Sequence, residues 1–112
     1  MALGTIDPQA LERVRQVGGD QLVADLVQLG LDSIRARAAA ARDAVGRGDA
    51  AEVRREAHAL RSSAANVGAV RLARLAEQVE LHADARAELH ELVDDLVVES
   101  ATVERALRET HP

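Results

Sequence analysis

The chain has 112 residues with a 47% hydrophobic content, enough for one domain with an ordinary core and too few for two comfortable ones. It has no Phe, Tyr, Trp or Cys, and all 14 basic residues are Arg, which excludes stacking on bases, thiol or disulfide chemistry and Schiff-base lysines. Nineteen acidic residues leave a formal charge of −5, the wrong sign for a generic nucleic-acid binder.

The start Met1-Ala2-Leu3-Gly4-Thr5 has neither a basic region nor an apolar run, and no stretch is apolar enough to span a membrane. The expectation is a cytoplasmic protein. Asp7-Pro8 reads as a helix cap followed by proline at the first helical position, and Leu11, Val14 and Val17 continue a helix over about 7–17 until Gly18-Gly19. Asp20 then caps a long helix over about 20–46, carried by Leu22, Val23, Leu26, Val27, Ile34, Ala38, Ala41 and Val45, with Gly30 inside it. Asp49, with Glu52 three residues on, opens a third helix over about 49–66 on Val53, Ala57, Leu60 and Ala64. A fourth runs over about 69–82 and a fifth over about 85–109. No run alternates at period two, so no strand competes. Short connections between long amphipathic helices imply a single all-α domain over 1–112, an antiparallel up-down four-helix bundle with a short additional N-terminal helix.

Of the four histidines, His58 stands out by its neighbours. At about 100° per residue it lies roughly 140° from the centre of its helix's apolar stripe, on the solvent side. Ser62 and Ala65, further along the same patch, are small, and Arg54 and Arg61 flank the ring with cations suited to an anionic phosphoryl group. Residues 47–61 hold four Arg against three acids, a mildly positive island in an acidic chain. His82 and His90 lack the spacing of a metal site, and His111 falls in the C-terminal tail. Ser62 and Ser63 share one helix with His58 and no elbow turn, which rejects a serine hydrolase.

The run from Ala57-His58-Ala59-Leu60-Arg61-Ser62-Ser63 to Val67-Gly68-Ala69 resembles the signature of histidine-containing phosphotransfer (HPt) domains. Leu72, Leu75 and the Val79-Glu80 pair continue it, and Ile6-Asp7-Pro8 and the Gly48-Asp49 turn also fit. The resemblance implies a phosphorelay intermediate, a phosphocarrier without catalytic machinery of its own. It would accept a phosphoryl group on His58 from a receiver-domain aspartate or a histidine kinase and pass it to another receiver. By family position, Arg61 replaces a Lys beside the phosphoryl group, and Glu80 holds the second imidazole nitrogen. Ser62 replaces a Gly that gives the receiver clearance, and Gly30 falls where many members carry a Phe, so its loss would loosen the bundle or reshape the docking face. The implied partners are response-regulator receiver domains or a hybrid histidine kinase, with no nucleic acid, no membrane and a monomeric chain. No cofactor is expected on this chain, the Mg²⁺ being held by the receiver. Ile6, Leu11 and Leu22 are the expected apolar docking residues, with Arg54 and Arg61 at their rim. Two alternatives stay open: a degenerate bundle that only docks proteins, and the phospho-accepting domain of a longer histidine kinase.

Overall fold

Helix formation begins at the Asp7-Pro8 pair. In the computed structural model, which describes residues 4–111, the Gln9 N–H donates to the Asp7 carboxylate at 3.0 Å and Pro8 opens the helix. Residues 1–3 and Pro112 lie outside the described residues. The helix α1 spans Pro8–Arg47, and inside it Gly19 takes φ 73° and ψ −168°. The expected break at Gly18-Gly19 is therefore present as a non-helical residue at which two helical segments join in one continuous element. The reason is local: helical geometry resumes directly after Gly19, leaving no room for a connection. Asp20, expected to cap a new helix, instead forms an ion pair with Arg15 across the bend.

Three more helices follow, α2 over Ala50–Asn66, α3 over Val70–Leu81 and α4 over Arg86–Thr110. Gly48 ends α1 in the left-handed region, and the Asp49 N–H donates to the Ala44 carbonyl at 2.9 Å. Asp49 then starts α2 by accepting the Glu52 N–H at 3.0 Å. Among the described residues there is no strand, and no helix is long and apolar enough to cross a membrane.

Each helix packs on the next in sequence, and α4 closes the ring against α1. Cross-helix pairs show the directions. Ser33 meets Ser63 and Arg37 meets Glu56, so α1 and α2 run antiparallel. Arg35 meets Glu104 and Arg42 meets Asp94, so α1 and α4 do too. This is the expected up-down-up-down bundle. Its core is aliphatic throughout: Ile34, Leu60, Leu72, Leu96 and Leu107 are enclosed, with Ala41, Ala44, Ala57 and Ala64 between them. Small side chains let helices approach closely, which compensates for the absence of rings.

Gly30 belongs to that close packing. A Cβ there would lie 2.8 Å from Val67 Cγ1, so Val67 fills the space that a larger side chain would take. The bundle is closed at this point, contrary to the loosening expected from a missing ring. A second close approach fixes the N-terminus: the Asp7 N–H donates to the Gly68 carbonyl at 2.8 Å, tying the start of α1 to the α2–α3 turn.

Candidate functional site

Val53, Ala57, Leu60 and Ala64 turn inward from α2, which leaves His58 on the opposite side with its side chain 66% exposed. The antiparallel packing of α3 on α2 then sets Glu80 beside it. His58 Nδ1 lies 2.9 Å from Glu80 Oε2. A carboxylate only accepts, so the proton of this bond sits on Nδ1 and the ring keeps a free lone pair on Nε2. The geometry therefore selects one tautomer and leaves the basic nitrogen of an exposed imidazole unoccupied.

Glu80 links the histidine to a cation. Its second oxygen, Oε1, is buried without a hydrogen-bond partner and lies 3.7 Å from Arg61. Arg61 is also 3.6 Å from the Glu77 carboxylate. Both separations exceed hydrogen-bond length, so the guanidinium is held by charge rather than by formed bonds. It stands one turn from His58 on the same helix and remains half exposed. A cation held this loosely can exchange its carboxylates for another anion at small cost.

Beyond the ring, the surface of α2 is low. The Ser62 hydroxyl donates to the His58 carbonyl at 3.4 Å, a long bond that folds it back on its own helix, and Ala65 is exposed. Arg54 is matched by Asp84 at 3.4 Å, in the turn between α3 and α4. It is a paired surface cation, not a free one beside the ring.

The expected apolar docking residues separate in the structure. Leu22 is 40% exposed and Ile6 is half-buried against the core. Leu11 is only 4% exposed, and this corrects its place in a docking face. The tie between Asp7 and Gly68 lays the first segment of α1 on the bundle, so its apolar stripe is spent on the core. The large apolar side chains that α1 leaves outside are Val17, Leu22 and Leu29.

His82 takes up the Gln78 carbonyl at 2.9 Å, at the end of its own helix. Among the described residues no three His, Asp or Glu side chains gather as a metal-binding group. Glu77 is the neighbour of the site that the sequence reading overlooked. Its signal was present, because Glu77 and Glu80 are one turn apart and share a face of α3.

Comparison with known proteins agrees with this geometry. The model of the Hpt domain family matches residues 25–110. The fold is similar to the crystal structure of histidine-containing phosphotransfer protein B (HptB) from Pseudomonas aeruginosa PAO1, with a TM-score of 0.88 and 22% sequence identity. That similarity covers 98% of this chain and 96% of the other. No curated protein matches the sequence. Because the family model spans most of the chain, including the helix with the exposed histidine and the helix that holds it, the chain belongs to the Hpt domain family of phosphorelay intermediates.

Proposed function

We propose that His58 is the residue that carries the phosphoryl group. The observation behind this reading is the 2.9 Å bond from Nδ1 to Glu80 on a side chain that is otherwise open to solvent. The free Nε2 lone pair attacks the phosphorus of an aspartyl phosphate on a receiver domain. The N–P bond forms as the P–O bond to the aspartate breaks, and the carboxylate leaves with its electron pair. Nδ1 keeps its proton, so the ring becomes cationic, and the Glu80 carboxylate opposes that charge. Arg61 exchanges its loose contacts with Glu77 and Glu80 for the phosphoryl oxygens. Transfer to a second receiver is the same step reversed.

In this reading the chain is a phosphocarrier, and the receiver brings the Mg²⁺ and the acidic pocket that holds it. The low strip of Ser62 and Ala65 provides the clearance for a docking domain, and Leu22 offers apolar surface. The chain acts as a monomer in the cytoplasm, where its partner receivers or a hybrid kinase would reach it.

The test is His58→Gln, with phosphorylated receivers as donors. Phosphoryl acceptance is lost while thermal melting stays that of the parent, because the exposed ring contributes nothing to the core. Label on the variant, or on His82 or His90, would sink the assignment. Glu80→Gln retains an oxygen that accepts from Nδ1 and keeps measurable transfer, whereas Glu80→Leu removes it and slows transfer by about tenfold or more. Equal rates for the two variants would show that Glu80 does not position the ring.

A further inference from the structure

Ten of the fourteen arginines are ion-paired, and two of the remaining four share one groove. Among the described residues, Arg13, Arg74, Arg86 and Arg105 have no carboxylate at ion-pair distance, whereas the other arginines each do. Two of these four, Arg13 and Arg74, line the same groove together with Arg61. The groove runs between the first segment of α1 and the α2–α3 turn, and Ala10, Ala65, Val70 and Ala73 line its apolar part. Val70 is 47% exposed there.

The groove sets three arginines, Arg13, Arg61 and Arg74, against two carboxylates, Asp7 and Glu77. Asp7 accepts the Gln9 N–H as a helix cap, and Glu77 faces Arg61 at 3.6 Å. Arg13 and Arg74 make no ion pair among the described residues, and the groove keeps a net positive lining on a chain of net charge −5. At about 290 Å³ the groove is smaller than a typical small-molecule pocket and of a size for one or two protein side chains. It is also continuous with the histidine, because Arg61 and Ala65, three and seven residues beyond His58, belong to both.

We infer that this groove is a docking cleft for the phosphoryl partner, and that Arg13 and Arg74 read carboxylates on the receiver surface beside its aspartyl phosphate. The inference rests on the phosphocarrier reading of His58. A receiver that sets an acidic phosphorylation site against this chain meets net repulsion from an acidic protein, and only local cations reverse it. Arg54 cannot do so, being matched by Asp84.

The experiment compares Arg13→Ala/Arg74→Ala with Arg86→Ala/Arg105→Ala, which makes the same change of net charge away from the groove. The probes are a receiver domain that binds the parent chain, used phosphorylated for transfer and unphosphorylated for binding, and phosphoramidate as a small donor that needs no docking. The groove variant loses about tenfold in transfer rate and in receiver affinity at low salt, and the deficit shrinks as salt rises. The control variant stays within about twofold of the parent in both. Phosphoramidate labels His58 equally in all three proteins. A groove variant that binds and accepts like the parent at every salt concentration, or a control variant impaired to the same degree, overturns the inference. A parent chain that binds the receiver through the groove arginines yet takes no label on His58 from either donor overturns the phosphocarrier reading instead and leaves the cleft standing.

Discussion

The helix that carries His58 is closed at both ends by a glycine with positive φ, Gly48 at 69° and Gly68 at 79°. The two positions do different work. Around Gly48 no atom lies within 4 Å of where a Cβ would stand, so only the backbone conformation asks for glycine. At Gly68 a Cβ would lie 2.8 Å from both Ala10 Cβ and the Asp7 carbonyl oxygen. The Gly68 carbonyl also accepts the Asp7 N–H at 2.8 Å. One end of α2 is thus a local chain reversal, while the other is the seat on which the first segment of α1 rests. That seat brings Arg13 alongside Arg61 and Ala65, so the residue that ends the helix also sets one wall of the groove.

Substitution separates the two roles. Gly68→Ala combines left-handed strain with a clash against backbone, and we expect a loss of about 2–3 kcal/mol in thermal or denaturant unfolding. A loss below about 1 kcal/mol would show that the N-terminal segment lifts away freely and that the seat is not rigid. Because it displaces Arg13, the same variant should also accept phosphoryl groups more slowly from a receiver than from phosphoramidate. Gly48→Ala carries the strain alone and should cost about 1 kcal/mol, with transfer unchanged. Equal losses at the two positions would erase the distinction between them. Between the ends, Ser62→Gly should lower stability by about 0.5 kcal/mol, since its hydroxyl makes only a long bond to the His58 carbonyl. Transfer from a non-cognate receiver should be at least as fast as in the parent. Slower transfer with every receiver would mean that the hydroxyl makes a contact the partner needs.

Much of the bundle was legible in the residue order because its signals are local. Asp7-Pro8, Gly48-Asp49 and Glu52 mark helix ends by capping groups that reach only a few residues. The period of Val53, Ala57, Leu60 and Ala64 needed no partner to show which side of α2 is buried. Gly18-Gly19 marks an interruption of the helix, which the structure has at Gly19, but two glycines do not tell whether the chain reverses there or only bends. Leu11 was placed on a docking face for a related reason. An apolar residue on an amphipathic segment faces the core or a partner, and the choice depends on where that segment is laid down.

The exposure of His58 and the small side chains beyond it were determined by the sequence alone, since helical spacing assigns a residue to a face without reference to any other helix. The bond between His58 and Glu80, 22 residues apart, was not. Residue spacing cannot supply it, because the contact depends on the rotation and axial offset of α3 against α2, which the packing of the whole core decides. The same holds for Arg61 between Glu77 and Glu80, and for Arg13 and Arg74 along one groove. The exposed histidine follows from periodicity within one helix, whereas its tautomer, its counter-charge and the arginines of the neighbouring groove come from the register between helices.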